Sequence, residues 1–136
     1  MNEDSDIYYS VELPSKGIFK SKGSKFYGYL FHCEDEDSFK VQLDFIKTQE
    51  SSARHFCWGL RLHPEAIIER SSDDGEPAHT AATPILRALI SHELVNIGCV
   101  VVRYFGGTKL GVPGLIEAYG SAAEDAIHEN TRVKNW

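Results

Sequence analysis

The segment 97–105, with the sequence IGCVVVRYF, is the feature that most constrains the fold of this chain. Its residues are almost all apolar and several are β-branched, which is typical of a strand rather than a helix. A strand with so little polarity must be covered by other elements, because apolar surface is costly in water. The sequence therefore predicts a strand in the middle of a β-sheet, covered on at least one face.

Other segments have the patterns of strands. Residues 17–22 and 25–33 flank the dipeptide Gly23-Ser24 and predict a hairpin. Residues 55–62 place Phe56, Trp58 and Leu60 on one side of a half-buried strand. Residues 67–71 are its expected partner strand.

Three helices are predicted from apolar residues that repeat at helical spacing. The first can be capped by Asp37 and Ser38. The second begins at Thr83 and Pro84, where proline loses nothing because its amide would be unpaired in any case. The apolar stripes of the three helices are Phe39, Leu43 and Ile46, then Ile85, Leu86, Leu89 and Ile90, and finally Leu115, Tyr119, Ala122 and Ala126.

The predicted order is several strands first and then an alternation of helix and strand. This order indicates an α/β (α+β) domain of two layers. We expect a mixed sheet with the helices on one of its faces. The chain has 136 residues, the size of one ordinary domain. The domain is expected to span residues 15–130, after an extended lead-in at residues 1–14.

Composition limits the classes of function. The net charge is −6, with 20 acidic against 14 basic residues, so any site for an anion must be local. No apolar stretch approaches the roughly 20 residues that cross a bilayer. The polar beginning, MNEDSD, is unlike a secretory signal. Cys33, Cys57 and Cys99 lie in apolar segments without CxxC spacing, which predicts buried reduced thiols and a cytoplasmic location.

A glycine-rich loop follows the apolar strand. Paired glycines allow positive φ angles or a close approach to a ligand, and the loop leads to a helix N-terminus, where free amides favour an anion. The alternative is a tight connection in which the glycines only turn the chain. The candidate anion-binding residues are Arg103, Gly106, Gly107, Lys109 and Gly111.

An acidic turn precedes the second helix and contains Asp73, Asp74 and Glu76, with His79 close behind. Its oxygen atoms could hold a hard cation, although it lacks the regular alternation of a calcium loop. Acids at this place also stabilise the positive end of a helix. They could instead pair with Arg103 or Lys109 across the end of the sheet, or orient a ligand.

No catalytic or cofactor motif is evident. The six histidines show neither HExxH nor paired i, i+4 spacing, and there is no GxSxG elbow. We therefore expect no metal, no cofactor and no enzymatic activity.

A basic hairpin, in which lysines alternate with aromatic residues, could face RNA or could simply protect a sheet edge. Its lysines are Lys16, Lys20, Lys22 and Lys25.

Four motifs together resemble the YigZ/IMPACT family. They are GSKF at 23–26, RSSDDGEPAHTA at 70–81, PIL at 84–86 and VVRYFGGTKLG at 101–111. The resemblance covers roughly residues 16–127. It implies an α/β fold with a left-handed βαβ crossover, as in domain IV of elongation factor G and a ribosomal small-subunit protein.

The resemblance also implies a function linked to translation. Eukaryotic members bind the activator of a starvation-sensing translation-initiation kinase. Bacterial members usually carry a second, ferredoxin-like domain, from which nucleic-acid binding has been inferred. We expect that domain to be absent here, in either a short form or a truncated chain. We expect a non-enzymatic binding domain that recognises RNA or a phosphate-bearing ligand, or a translation-associated protein. A hydrolase or phosphotransferase is the third alternative.

The chain departs from the family pattern at three positions. Pro113 replaces a glycine and stiffens the loop, and Glu117 stands where many relatives have arginine. A carboxylate there is unfavourable for an anion at the helix N-terminus. His79 replaces a small residue beside the acidic turn.

Overall fold

The chain forms seven strands and three helices in a computed structural model that describes residues 7–130 and 132–134. In chain order they are β1 (Tyr9–Val11), β2 (Ser15–Ser21), β3 (Ser24–His32), α1 (Glu36–Gln49), β4 (His55–Leu62), β5 (Ile68–Ser72), α2 (Ala82–Ser91), β6 (Ile97–Tyr104), α3 (Gly111–His128) and β7 (Arg132–Lys134). Strands β1 and β7 form a separate antiparallel pair.

The main sheet has five strands in the order β2-β3-β6-β4-β5, and every neighbouring pair is antiparallel. The α+β class is confirmed, and so is the central position of the apolar strand, which is β6. The predicted mixed sheet is wrong. Each pair of parallel strands in this fold is separated by an antiparallel strand, a pairing order that residue patterns do not reveal.

Both faces of the sheet are covered by helices, and alternate residues of β6 belong to two different hydrophobic cores. Cys99 and Val101 pack with α2 and α3 on one face. Val100 and Val102 pack with the apolar stripe of α1 on the other face. The predicted two layers with all helices on one face are therefore wrong, and the domain has three layers. The apolar run is unbroken because neither of its faces meets water.

Two crossover connections arise from this arrangement. The path β3–α1–β4 and the path β5–α2–β6 each join parallel strands across one intervening strand. If each path is viewed from the same face of the sheet with its first strand pointing upward, its second strand lies to the same side of the first in both cases. The connecting helices α1 and α2, however, lie on opposite faces of the sheet. The two crossovers therefore have opposite hands, so one of them is left-handed, as the family resemblance implies.

Several boundaries differ from the sequence prediction. Helix α1 is capped by Asp35, whose carboxylate accepts from the Ser38 amide in a capping box, rather than by Asp37 and Ser38. The hairpin turns at Lys22 and Gly23 instead of Gly23 and Ser24, with φ angles of 50° and 84°. Two positive φ angles match the twist of the flanking strands.

The residues before β2 are held against the domain. The Tyr9 amide donates to the Glu93 carbonyl at 2.9 Å, and the Val95 amide donates to the Tyr9 carbonyl at 2.9 Å. Ser10 and Val11 are buried. The described part of the expected lead-in thus contains strand β1.

All three cysteines are buried and free, as predicted. Burial raises the pKa of the Cys99 thiol to about 12, and burial together with Asp35 raises that of Cys33 to about 12. Burial also raises the pKa of Cys57 well above its ordinary value. Thiols of this kind stay protonated and are poor nucleophiles.

Helix α3 lies directly on the β2–β3 hairpin at a pair of glycines. Gly17 and Gly28 are cross-strand partners. A Cβ atom at Gly17 would lie 2.2 Å from the Ala126 nitrogen, and one at Gly28 would lie 2.6 Å from the Ala122 carbonyl oxygen. Only glycine allows the helix backbone to approach this closely.

Gly28→Ala is therefore expected to lower the free energy of unfolding by about 1–3 kcal/mol, because the added methyl group forces the helix away from the sheet. Gly120→Ala is the matched control, since a Cβ there would lie 3.5 Å from the Pro84 Cβ, in ordinary contact. Alanine in a helix is favoured over glycine by up to about 1 kcal/mol, so this variant should be neutral or more stable. Urea unfolding of both variants checks the prediction, and equal stability would contradict it.

Candidate functional site

Asp73 acts as a remote cap of α2. Its carboxylate accepts from the amides of Ala81 at 3.1 Å, Ala82 at 2.8 Å and His79 at 3.0 Å. Burial alone would raise the pKa of this carboxyl, but these amide hydrogen bonds outweigh it and lower the pKa. The cap explains why α2 begins at Ala82 without a side-chain cap on its own N-cap residue, which is Ala81.

Asp74 fastens the acidic turn to the start of β4. Its carboxylate accepts from the Phe56 amide at 2.7 Å, and its carbonyl oxygen lies 2.9 Å from Nδ1 of His55. Asp74 itself has a φ of 43° and Gly75 a φ of 90°. Two positive φ angles bend the chain sharply here, and the turn needs glycine at one of them.

Glu76 is the buried centre of the site, with a side chain 4% exposed. Its Oε2 accepts from Nη1 of Arg103 at 2.6 Å and from the Tyr119 hydroxyl at 2.5 Å. Burial, followed by the effects of Cys57 and Glu76, raises the pKa of Tyr119 far above its ordinary value, so the phenol remains a donor. This triad of Glu76, Arg103 and Tyr119 joins the acidic turn to β6 and α3.

The Arg103 guanidinium connects the triad to two aromatic rings. Its side chain is 11% exposed. It lies 5.4 Å from the centre of the exposed Phe105 ring and 6.0 Å from that of buried Phe26. Its buried Nε has no hydrogen-bond partner among the described residues. Glu76 neutralises the charge of Arg103 from behind, so Arg103 contributes little net positive potential outside.

The predicted glycine positions have different roles. Gly106 packs against the hairpin, where its amide donates to the Ser24 hydroxyl at 2.9 Å and an added Cβ would lie 2.1 Å from Gly23. Gly107 has a φ of 94° with open space beside it. Gly111 has a φ of 75° and is the first residue of α3. The plain-turn alternative thus accounts for Gly106.

A cleft of about 510 Å³ lies beside this loop. It contains two of the predicted residues, Arg103 and Lys109. The acidic turn supports it from behind, through the contacts of Asp74 with His55 and of Glu76 with Arg103. No carboxylate stands among the described residues that line it. These residues are Ser52, Ala53, Arg54, His55, Arg103, Tyr104, Phe105 and Lys109.

A second carboxylate, the half-buried Glu50, holds one wall of the cleft. Glu50 follows α1 as its C-cap and accepts hydrogen bonds from the hydroxyls of Tyr29 and Tyr104. Burial opposes ionisation, but these bonds and the charge of Lys16 lower the pKa of Glu50. Glu50 thereby fixes the segment that runs on to Arg54.

Sequence reasoning missed Arg54, His55 and Tyr104 as cleft residues. The sequence feature that could have pointed to Arg54 and His55 is their position at the start of the predicted strand 55–62. His55 is the register partner of Arg103 across β4 and β6. That pairing cannot be inferred from the sequence, because the two strands are far apart along the chain.

His79 lies apart from the cleft. With a φ of 67° it is exposed, and its Nδ1 is 3.1 Å from the Thr83 hydroxyl. It lines a different groove of about 620 Å³ between α2 and α3, together with Glu117. Two of the three departures from the family pattern, His79 and Glu117, therefore share one surface.

Among the described residues, no helix combines the length and apolar character needed to span a membrane.

Comparison with known proteins places the chain among proteins of similar sequence. Residues 22–127 match the model of the Impact N-terminal domain. An IMPACT family member from Haemophilus influenzae is 42% identical over 108 residues, which are 78% of this chain and 52% of that protein. The IMPACT family member YigZ of Escherichia coli is 36% identical over 120 residues, 87% of this chain and 59% of that protein. The chain thus spans about half the length of these relatives.

Two solved structures share the fold. A crystal structure of a hypothetical protein has a TM-score of 0.89 and 30% identity over 95% of this chain and 64% of its own. The two-domain translational regulator Yih1 has a TM-score of 0.53 and 24% identity, over 90% of this chain and 47% of its own.

Glu76→Gln is expected to lower the free energy of unfolding by about 3–5 kcal/mol, because it leaves the buried Arg103 charge uncompensated. Glu117→Gln removes the same charge from an exposed position and should change stability by less than about 0.5 kcal/mol. Adding Arg103→Met to Glu76→Gln should recover part of the loss. Chemical unfolding of the four proteins checks this, and equal effects of the two glutamine variants would contradict it.

Proposed function

The chain belongs to the Impact N-terminal domain family, and from that premise we propose that it is a non-enzymatic recognition domain in translation control, which binds the phosphate backbone of RNA at the basic cleft. The yeast protein called IMPACT homolog is 30% identical over 78% of this chain. Yih1, described as a two-domain translational regulator, has the same fold. The description of Yih1 as a translational regulator supports the link to translation.

One observation carries the proposal of an anionic ligand. The cleft gathers Arg54, Arg103 and Lys109 without a lining carboxylate, in a chain whose net charge is −6. Acidic chains repel nucleic acid over most of their surface, so a local basic cleft directs an anion to one place.

The charges of the cleft are not equivalent. Arg103 is already paired with Glu76 at 2.6 Å. Arg54 and Lys109 are exposed, so they supply the positive charge for phosphate contacts. Arg103 instead supports Phe105, whose ring is 58% exposed and available for stacking with a base. This combination of cations and one open ring suits a single-stranded ligand.

The cleft offers little for catalysis. Among the described residues that line it, His55 is of the type most often used in acid–base catalysis, and its Nδ1 already lies 2.9 Å from the Asp74 carbonyl oxygen. Cys57 lies two residues after His55 on β4 and is buried. Burial raises the pKa of its thiol, so the thiol stays protonated. These features support binding rather than turnover.

A protein partner is the second candidate, and a separate surface favours it. Val41 and Phe45 lie one turn apart on α1 and are 67% and 59% exposed. Phe45 borders a groove of about 330 Å³ with Tyr29 and Pro14. Exposed apolar side chains beside a groove suit the apolar side chains of a partner. The acidic turn is less suitable, because its three carboxylates already accept hydrogen bonds within the domain.

Lys109→Ala and Arg54→Ala are each expected to weaken binding of a labelled single-stranded RNA. Each lost phosphate contact should make the plot of the logarithm of the association constant against the logarithm of the salt concentration less steep, by about 0.7 in slope. Lys40→Ala, which removes an exposed lysine from α1, is the matched control and should bind as the wild type does. Fluorescence anisotropy at several salt concentrations measures both quantities.

Absent binding at low salt, or binding that neither cleft variant changes, would sink the RNA proposal. The apolar surface of α1 would then be the better account of recognition.

A further inference from the structure

We propose that His92, Glu124 and His128 form a site for one divalent transition-metal ion of the zinc type. His92 is the C-cap of α2, whereas Glu124 and His128 lie one turn apart on α3. The three residues meet because α2 and α3 pack side by side. The site is separate from the basic cleft and independent of the proposed RNA binding.

The geometry of the ligand atoms suits one ion. Nε2 of His92 lies 2.7 Å from Oε1 of Glu124. One ligand atom from each of the three residues lies within 4.8 Å of the other two. These separations bracket the roughly 3.3 Å between neighbouring ligands of a tetrahedral zinc bonded at about 2.0–2.1 Å. Small side-chain rotations would bring all three atoms to bonding distance.

The two imidazole rings are also placed for a shared ion. The ring centres of His92 and His128 are 6.0 Å apart and the rings are perpendicular. Imidazoles that share a tetrahedral zinc have centres roughly 5 Å apart, given its bond length of about 2.0–2.1 Å. The observed separation therefore needs little adjustment.

The ligand types select the class of metal. Two imidazoles and one carboxylate suit zinc, copper, nickel or cobalt, whereas magnesium and calcium prefer oxygen ligands. Three protein ligands leave a fourth position open for water or another group. Glu124 and His128 line the groove between α2 and α3, so the open position is accessible from it.

The electrostatic surroundings favour a cation. Glu117 and Asp125 line the same groove and add two further carboxylates to that of Glu124, against one arginine, Arg87. His92 and Glu124 are half-buried and His128 is exposed, so an ion could enter from solvent. A plain ion pair would explain the contact between His92 and Glu124 but gives no role to His128.

The sequence predicts no metal site, and the reason is clear from the fold. His92 is far from the other two ligands along the chain, so no spacing motif arises. A glutamate and a histidine four residues apart on one helix are common without a metal. Only the packing of the two helices adds the third ligand.

Titration of the folded chain with Zn²⁺ by calorimetry tests the proposal, and Co²⁺ absorption in the visible range reports the coordination. We expect one saturable ion per chain and a rise in Tm on binding. His92→Gln, Glu124→Gln and His128→Gln should each weaken binding at least tenfold. Glu117→Gln, which removes a charge from the same groove, should keep Zn²⁺ affinity within about threefold of the wild type.

Circular dichroism establishes that each variant is folded. The absence of saturable binding by the wild type would overturn the proposal. Affinities of the ligand variants equal to that of Glu117→Gln would do the same, because the ion would then respond only to the general charge of the groove.

Discussion

The buried carboxylate of Glu76 is the interaction on which the rest of the site depends. It accepts from Arg103 and Tyr119 and so joins the acidic turn to the central strand and to α3. A buried charge of this kind is tolerated only when it is paired and hydrogen-bonded. The pairing fixes where the acidic turn leaves β5 and where the glycine loop leaves β6.

The two long motifs therefore have different roles. In the acidic motif, Asp73 caps a helix and Asp74 holds the start of β4, so its conspicuous charges stabilise the fold. The motif after β6 instead brings Phe105 and Lys109 to the surface. In the proposed function the acidic motif shapes the cleft from behind, and the basic and aromatic residues recognise the ligand.

The sequence was sufficient for the three helices, for the strands of the main sheet and for the α+β class, because the apolar pattern of β6 and the helical stripes depend on local spacing. It did not predict strands β1 and β7. It was insufficient for the layers, because the unbroken apolar run of β6 permits cover on both faces but does not show which helix covers which face. It also failed where distant segments meet. Arg54 reaches the cleft, and His92 reaches Glu124, through strand order and helix packing that no local pattern records.

NMR mapping of the amide resonances of the chain, during titration with a short single-stranded RNA, shows where the ligand binds. We expect shifts confined to residues 52–55 and 103–109, with residues 73–82 unchanged because their polar groups are already bonded within the domain. Shifts centred on residues 73–82, or on the exposed face of α1, would contradict this expectation.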